Sequence, residues 1–413
     1  MSATSTSDSV ADTAKVRARG YGVFAEGSPR RSLRVEAMPA ASSKRAEEPK
    51  KVLVIGKGTS GKAAASLAES QGSQVEFADG VGLVIASPGV RVMSELEFGC
   101  RELKKLGVKM LAVTGSKGKS SVVKLVADAL NLAGLHATPC GNYGLPVSEL
   151  ALSLQHAAPS TQQWAVVEVS SFMMETTNLP PGTFEAAAIL NLQEDHLDRH
   201  GSAEAYHALK LRLMDFAKVG FAPGDARCDM AAVPKGCYFD NDVLRANGAY
   251  AVALMRAAGL DDAVIARAFS EFKPLPHRFQ TVAELDGVRY VDDSKATSVA
   301  ALAAGVAMSG GKTRLIAGGL PKGDDPKSAL PILTKRVKKV YLIGRCAEEF
   351  RSAWSDAVDC EVCETMDKAV EAARREAEKG DTVLLSPGTA SFDQFKSFGE
   401  RGEVFARLVK KEG

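Results

Sequence analysis

The sequence lacks the features that mark membrane, nucleic-acid-binding or highly charged proteins. No apolar run approaches the roughly 20 residues that span a bilayer. Lys plus Arg (52) and Asp plus Glu (50) nearly cancel. A near-neutral chain has no electrostatic footprint for nucleic acid or an anionic membrane surface. We therefore predict a soluble protein with no nucleic-acid partner and no membrane partner.

A disulfide framework is also missing. The seven cysteines are an odd number and are scattered along 413 residues, and a chain of this length needs no covalent staples. We predict reduced thiols in a reducing compartment. Cys360 and Cys363 form a single C-x-x-C, but no second pair or flanking histidine completes a zinc site. The pair is therefore interpreted as two incidental thiols.

The first fifty residues lack apolar periodicity and are dominated by Ser, Ala and Arg. No packed element is expected in residues 1–50. The excess of basic residues favours a transit peptide, whereas Asp8 and Asp12 favour a plain disordered tail. Both interpretations remain open, and under either one this segment is not part of the fold.

From Lys51 onward, strand-like and helix-like segments alternate in three successive α/β units. The predicted boundaries are residues 51–108, 109–275 and 276–413. The main predicted strands are Val52–Ile55, Gly82–Ala86, Leu111–Thr114, Ala165–Val169, Ala186–Leu190, Thr281–Ala283, Arg289–Val291, Arg314–Ala317, Val340–Ile343 and Thr382–Leu385.

A glycine- and lysine-rich turn carries the strongest chemical signal. It reads Gly115-Ser116-Lys117-Gly118-Lys119-Ser120-Ser121 and lies between a predicted strand and a predicted helix. Glycines let the backbone wrap an anion, a lysine reaches nucleotide phosphates, and the hydroxyl that follows can bind Mg²⁺. Val113 stands where a general P-loop has its first glycine, so the motif indicates a variant phosphate-binding loop.

Polar residues also collect where other predicted strands end. Glu168 ends a strand, and the run Glu194-Asp195-His196 follows another. Polar turns at 292–297 and 386–395 do the same in the third unit. Open α/β sheets bind ligands at the carboxyl ends of their strands. Each of these turns could be an ordinary loop when taken alone, and the loop Gly56-Lys57-Gly58-Thr59-Ser60-Gly61 is a weak phosphate signal.

As an ordered set, these motifs resemble the Mur ligase family over the chain from about Lys51 to the end. The shared segments are T-G-S-K-G-K-S-S, G-N-Y-G-L-P, E-V-S-S-F, I-L-N-L-Q-E-D-H-L-D-R-H, P-H-R-F, D-D-S-K-A-T and S-P-G-T-A-S-F-D-Q-F. The last is similar to that of the D-glutamate-adding members. The D-N-P-R motif of the diaminopimelate- or lysine-adding members is absent, and the C-terminal motifs of folylpolyglutamate synthetases differ.

The resemblance implies an amide-bond-forming ligase of peptidoglycan precursor synthesis, with ATP and Mg²⁺ as cofactors. Its substrates would be UDP-N-acetylmuramoyl-L-alanine and D-glutamate. It implies three domains: a reduced Rossmann-like UDP-binding domain, a P-loop ATPase-type central domain and a Rossmann-like C-terminal domain that binds the amino acid. The family suggests a cytoplasmic monomer, or a protein of the plastid stroma if residues 1–50 are a transit peptide.

The resemblance also implies roles for individual residues. The catalytic residues would be Lys119, His196 and Lys210, with Lys210 carbamylated. Ser120, Glu168, His196 and Lys210 would serve the metal. Besides the glycine-rich turn, Asn247, Arg278 and Asp293 would contact the nucleotide. The substrate residues would be Ser87, Asn142, Thr297, Lys322, Ser391, Phe392 and Phe398.

The sequence departs from the family pattern in two ways. Ala246 and Tyr250 replace a histidine and an asparagine, and the segments after Asp79 and over 217–245 are short. The shortening favours weak UDP-substrate binding. It leaves open a non-catalytic Mur-fold binding protein, or a sequence that lacks pieces of the natural protein. Five charged positions intact in the motifs favour the active enzyme.

Overall fold

The structure is a computed structural model that describes residues 51–79, 92–155, 162–193, 197–310 and 312–410. The tail 1–50, the predicted strand Gly82–Ala86, Ser87 and His196 lie outside the described residues. In the described parts of the chain, no helix combines the length and apolar character needed to cross a bilayer.

The amino-terminal unit is a small parallel β–α–β layer. Its elements are β1 (Lys51–Ile55), α1 (Thr59–Ser70) and β2 (Gln74–Ala78), followed by α2 (Glu95–Lys105). β1 and β2 pair in parallel. Gly61, in the first turn of α1, packs directly against the turn before the helix. A Cβ at this position would lie 2.1 Å from the Gly56 carbonyl oxygen. The glycine-rich turn therefore has a packing role whether or not it binds phosphate.

Helix α2 packs with the central domain. Leu96, Cys100 and Leu103 on its inner face are buried in the same core as Met110 and Val147. The Glu95 carboxylate also accepts a hydrogen bond of 2.6 Å from the Ser148 backbone N–H. By its packing, α2 thus belongs with the central unit, although the sequence placed it within 51–108.

The central unit is a parallel sheet with helices on both faces. Its elements are β3 (Lys109–Thr114), α3 (Lys119–Leu132), β4 (His136–Gly141), α4 (Val147–Leu154), β5 (Gln163–Glu168), α5 (Ser171–Met174), β6 (Phe184–Ile189), α6 (Leu197–His200), α7 (Ala203–Leu211), β7 (Ala217–Phe221), α8 (Arg245–Ala257) and α9 (Asp262–Glu271). Five strands of the described chain form the sheet, in the order β4-β5-β3-β6-β7.

The central strand β3 is apolar on both faces because helices cover both sides of the sheet. Leu111 and Val113 face one core, with α3 and α8, and Met110 and Ala112 face the other, with α2 and α4. The order puts β5, β3 and β6 side by side. The P-loop turn, Glu168 and Asn191 therefore lie at one edge of the sheet.

The C-terminal unit is a mixed sheet with its own two cores. Its elements are β8 (Gln280–Leu285), β9 (Val288–Asp292), α10 (Val299–Met308), β10 (Thr313–Gly318), α11 (Leu330–Arg336), β11 (Val337–Ile343), α12 (Ala347–Trp354), β12 (Asp359–Glu364), α13 (Met366–Glu376), β13 (Thr382–Leu385) and α14 (Phe398–Lys410). The strand order within the described residues is β12-β11-β10-β13-β9-β8.

The first two strands of this unit, β8 and β9, form a hairpin at one end of the strand order. These strands are antiparallel. Asp286 (φ 52°) and Gly287 (φ 76°) connect them, and an Asp-Gly pair with positive φ at both residues is typical of a two-residue hairpin turn. The parallel β–α rhythm therefore begins at β9.

Candidate active site

A cleft of about 660 Å³ lies between the central and C-terminal sheets. The P-loop after β3, the ends of β4 and β5, and the interdomain segment 275–278 form one side. The turn after β9 and the start of α14 form the other. The lining residues are Ser116, Lys117, Gly118, Lys119, Ser120, Asn142, Tyr143, Glu168, Leu275, Pro276, His277, Arg278, Lys295, Thr297, Ser298, Ala301, Phe398 and Gly399.

The P-loop reaches its shape through glycines that no other residue could replace without strain. Gly118 precedes α3 with φ 86°, a left-handed conformation that favours glycine. A Cβ at this position would lie 2.1 Å from the Asn247 Nδ2 atom. The Lys119 ammonium donates to the Gly115 carbonyl oxygen at 2.9 Å. The loop is therefore closed on itself and packed against α8, with α3 beginning at the cleft.

Asn191, at the end of β6, fixes the outer part of this loop. Its Oδ1 accepts from the Lys117 N–H at 2.8 Å, and its Nδ2 donates to the Lys117 carbonyl oxygen at 2.9 Å. The same Nδ2 lies 3.4 Å from the Asn247 Oδ1 atom. This role was not predicted from the sequence, although Asn191 opens a motif that the sequence singled out. Asn247 thus supports the loop that a nucleotide would contact.

Lys210 lies beneath the P-loop. Its side chain is fully buried, and its Nζ donates to the Gly115 carbonyl oxygen at 3.0 Å. It also sits 4.5 Å from the centre of the Tyr206 ring, and the Tyr206 hydroxyl lies 3.3 Å from the Ser116 Oγ atom. A buried lysine is costly unless its charge is compensated or removed. Lys210 is therefore held between the Tyr206 ring and the P-loop.

Glu168 is buried at the end of β5 and faces the cleft. Its Oε1 accepts from the Asn142 Nδ2 at 2.7 Å. Its Oε2 has no hydrogen-bond partner among the described residues, and a buried carboxylate oxygen without a partner is unfavourable. Mg²⁺ in nucleotide enzymes is often held by one or two carboxylates together with phosphate oxygens and water. Glu168 and the Ser120 hydroxyl fit that donor set.

Arg278 is hydrogen-bonded to two residues of the central unit. Its Nη2 donates to the Ser120 Oγ at 3.2 Å, and its carbonyl oxygen accepts from the Tyr238 hydroxyl at 3.3 Å. His277 and Phe279 on either side have φ of 61° and 49°. The guanidinium is thus presented to the P-loop from a tightly turned connection between domains.

The two aspartates at the end of β9, Asp292 and Asp293, are hydrogen-bonded within the C-terminal unit. The Asp292 carboxylate lies 2.6 Å from the His277 Nδ1 atom. Asp293 accepts from the Phe279 N–H at 3.1 Å and from the Ser386 hydroxyl at 3.0 Å. Burial raises the pKa of Asp293 to about 7, against the lowering effect of the Ser386 hydrogen bond. Asp293 lies beside the cleft rather than among its lining residues.

Lys295 and Phe398 form the C-terminal wall. The Lys295 ammonium sits 3.8 Å from the centre of the Phe398 ring, a cation–π distance. Burial, followed by the nearby Arg278 charge, lowers the pKa of Lys295. Lys295 was not among the residues predicted from the sequence, although its motif was. Thr297 lies two residues further on and lines the same wall.

Lys322, Ser391 and Phe392 lie outside the lining of this cleft. An isolated bridge pairs Leu320 with Ala390, so the segments that carry Lys322 and Ser391 run side by side at the carboxyl end of the sheet. Ser391 is buried and Lys322 is exposed. Phe392 is 70% exposed. These three residues form an outer group. Their segments are hydrogen-bonded to the segment that carries Thr297, because the Gly388 N–H donates to the Ala296 carbonyl oxygen and the Val299 N–H donates to the Asp324 carboxylate.

The fold therefore gathers most of the predicted site at one cleft. Among the described residues, the predicted site residues outside its lining are Gly115, Ser121, Lys210, Asn247, Asp293, Lys322, Ser391 and Phe392. Several of these hold the lining residues in place. The described residues contain no group of three or more His, Cys, Asp and Glu side chains arranged for a metal.

Comparisons with known proteins agree with this architecture. The family model "Mur ligase middle domain" matches residues 113–227, and "Mur ligase, glutamate ligase domain" matches residues 277–388. Among solved structures, a MurF ligase from Thermotoga maritima in complex with ADP superimposes with a TM-score of 0.59. It shares 17% identity and covers 89% of this chain and 97% of its own. An Escherichia coli FolC in complex with ADP gives 0.51 at 16% identity, over 79% of this chain and 96% of its own. At these identities the likeness concerns the fold.

Sequence relatives are nearer. The UDP-N-acetylmuramoylalanine–D-glutamate ligase of Acidobacterium capsulatum is 34% identical over 453 aligned positions, covering 87% of this chain and 96% of the relative. The ligase of that name from Rubrobacter xylanophilus is 36% identical, over 82% of this chain and 87% of its own. The 453 positions exceed the length of this chain, so the alignment contains gaps. With these relatives spanning most of its length, the chain belongs to the Mur ligase family.

Proposed function

We propose that this protein joins D-glutamate to UDP-N-acetylmuramoyl-L-alanine at the expense of ATP, in peptidoglycan precursor synthesis. Its relatives carry this activity in their names. The observation that carries the proposal is the composition of the 660 Å³ cleft. One side of the cleft carries the phosphate-binding loop and the Glu168 carboxylate, whose Oε2 has no hydrogen-bond partner among the described residues. The other side is a wall that contains Lys295, Thr297 and Phe398. The alternative of a non-catalytic binding protein has no observation in its favour.

The chemistry has two steps. A carboxylate oxygen of the L-alanyl group attacks the γ-phosphorus of ATP, the bond to the bridging oxygen breaks, and ADP leaves. The D-glutamate amine then attacks the acyl carbon, loses a proton and displaces inorganic phosphate. Phosphoryl transfer requires alignment and charge neutralisation more than covalent help from the protein. Lys119 and Arg278 supply positive charge from the same side of the cleft.

Glu168 and Ser120 would hold Mg²⁺, and His196 and carbamylated Lys210 would complete the metal sites by resemblance to the family. The metal would neutralise phosphate charge. On the protein side, Asn142 orients Glu168 by donating to Oε1, which leaves Oε2 for a cation. We expect Glu168→Gln to raise the Mg²⁺ concentration needed for half-maximal activity.

Amino-acid choice would rest on the outer group and the wall beside it. Lys322 would pair with a carboxylate, and the Thr297 and Ser391 hydroxyls would donate to its oxygens. Charge-assisted hydrogen bonds of this kind select a second carboxylate over an amide.

In the cell the protein would act as a monomer, in the cytoplasm or in the plastid stroma.

The proposal is tested by phosphate release from the purified full chain with ATP, Mg²⁺ and UDP-N-acetylmuramoyl-L-alanine. We expect release to depend on D-glutamate and to be negligible with D-glutamine or meso-diaminopimelate. Replacing Lys322 by Met should raise the KM for D-glutamate and leave the KM for ATP unchanged. Lys327→Met, nearby in sequence on a 3₁₀ turn, is the matched control. Efficient use of meso-diaminopimelate would contradict the proposed substrate.

A further inference from the structure

Arg401 is a fully buried arginine for which the mechanism above has no role. It lies in the first turn of α14 and has 0% of its surface exposed. Within the described residues, its guanidinium makes no ion pair. Burial lowers its pKa to about 10, and the Asp393 and Asp292 charges partly oppose this shift. A buried charge without an ion-pair partner is expensive. Its surroundings must therefore satisfy it by hydrogen bonding.

All of its recorded hydrogen bonds go to neutral oxygens of two loops. The Nε donates to the Ser294 Oγ at 3.0 Å, and Nη2 donates to the Ser294 carbonyl oxygen at 2.9 Å. Nη2 also donates to the Thr389 carbonyl oxygen at 3.1 Å, and Nη1 to the Ala390 carbonyl oxygen at 3.2 Å. The planar fork of an arginine can bridge separate acceptors in a way that a lysine cannot.

The Ser294 hydroxyl extends this bridge to a third segment. While accepting from Arg401, it donates to the Phe398 carbonyl oxygen at 2.8 Å. The single hydrogen of the Ser294 hydroxyl is used in this bond, which links the start of α14 to the turn after β9. The three tied segments carry Thr297, Ser391 and Phe398, which are the residues assigned to D-glutamate.

Close packing leaves this arrangement little freedom. A Cβ on Gly319 would lie 2.4 Å from the Ala390 carbonyl oxygen and 3.2 Å from the Arg401 Nη1 atom. The Lys295–Phe398 contact spans two of the tied segments. A shift of any one segment would therefore change the wall of the cleft.

We propose that Arg401 is a positioning residue for the amino-acid site, which sets the relative placement of the segments carrying Thr297, Ser391 and Phe398 without touching the substrate. This inference rests on the proposed function. It predicts a specific loss of amino-acid affinity when the fork is removed, because none of the hydrogen bonds that Arg401 makes to described residues reaches the P-loop side of the cleft.

The test is steady-state phosphate release by Arg401→Lys and Arg401→Met, with each substrate varied in turn. Losing a hydrogen bond to a buried charged group corresponds to a factor on the order of ten to a hundred in affinity. We expect the KM for D-glutamate to rise by about tenfold in Arg401→Lys and by more in Arg401→Met. The KM for ATP should change by less than about twofold. An equal rise in both KM values, or an unchanged KM for D-glutamate, would overturn the proposal.

Arg314→Met is the matched control for general destabilisation. Arg314 is also buried in the C-terminal sheet, but it lies at the opposite end of the strands and pairs with Asp381 at 2.9 Å. We expect it to lower the Tm without raising the KM for D-glutamate. If Arg401→Met does not fold, Ser294→Ala removes the hydroxyl that links Arg401 to Phe398 and should raise the same KM.

The two proposals fail in different ways. If the wild-type chain shows no amino-acid-dependent phosphate release, the proposed function is wrong, and the role of Arg401 falls with it. If the wild type uses D-glutamate and the Arg401 and Ser294 variants keep its KM, only the positioning role is wrong.

Discussion

The Lys119 side chain is hydrogen-bonded to its own loop. Its ammonium donates to the carbonyl oxygens of Gly115 and Ser116 at 2.9 and 3.3 Å. A bound phosphate would replace these carbonyl oxygens as the hydrogen-bond partner of the Lys119 ammonium. The residue thus combines a local structural contact with the charge that phosphoryl transfer requires.

Replacing Lys119 by Ala should therefore reduce ATP-dependent phosphate release by about 10²–10³-fold, the usual effect of losing one preorganised electrostatic contact. The measurement is kcat at saturating substrates. Lys124→Ala on the same helix is the control, because Lys124 pairs with Asp128 away from the cleft. Near wild-type release by Lys119→Ala would rule out the assignment of the nucleotide site.

Lys210 should function as a carbamate, which keeps one N–H to donate to the Gly115 carbonyl oxygen and adds two anionic oxygens. We expect Lys210→Ala to be poorly active and to regain part of its activity in buffers containing short carboxylates. Lys218→Ala is the control, since Lys218 pairs with Glu185 at the surface. A fully active Lys210→Ala without added carboxylate would exclude the carbamate.

The strands that the sequence did not predict are β2, β4, β7 and β12, and all four lie at the edges of sheets. β4 contains Pro139, and β12 reads Asp-Cys-Glu-Val-Cys-Glu. Edge strands tolerate proline and polar residues because one side makes no ladder hydrogen bonds. Central strands such as β3 and β13 contain uninterrupted apolar runs, at 110–113 and 383–385, and for that reason they were predicted.

Helix α1 connects the amino-terminal layer to the rest of the molecule. Its Leu67 is fully buried in the core that contains Leu103 and Leu150. A two-stranded sheet is marginally stable alone, so the layer depends on this contact. We expect Leu67→Ala to cost about 2–5 kcal/mol at this interface and to speed hydrogen exchange in residues 51–79 without a matching effect in β3.

Leu103→Ala in α2 is the comparison for that experiment. Because α2 packs in the central core, this change should speed hydrogen exchange both in residues 51–79 and in β3. Equal protection of residues 51–79 in Leu67→Ala and in the wild type would show that the layer is held by other contacts.

At the level of the whole molecule, the ATP site and the UDP-sugar site should differ in ligand affinity. The P-loop side is fully built, whereas the described amino-terminal layer has a single helix and two strands. We expect ATP to bind more tightly than UDP-N-acetylmuramoyl-L-alanine in calorimetry on the purified chain. Micromolar binding of the UDP-sugar, comparable with that of ATP, would contradict this prediction. UDP alone serves as the control for contacts to the nucleotide part.

The sequence alone determined the α/β class, the order of the three units and the phosphate-binding loop. Local rules were sufficient for these features. Glycines at the P-loop have conformations that few other residues adopt, and the apolar runs of β3 and β13 have no stable place except between layers of helices. The family resemblance, now supported by relatives over most of the chain, follows from the same short motifs.

Only the tertiary structure decided which motif residues face the cleft and which hold it together. Asn247 supports Gly118, and Arg401 links Ser294 to the turn at 389–390. Asp293 is engaged by Phe279 and Ser386. Such roles depend on side chains that meet across loops, and no local pattern encodes these distances. The packing of α2 with the central core was decided in the same way, because an amphipathic helix does not specify which neighbour will cover its apolar face.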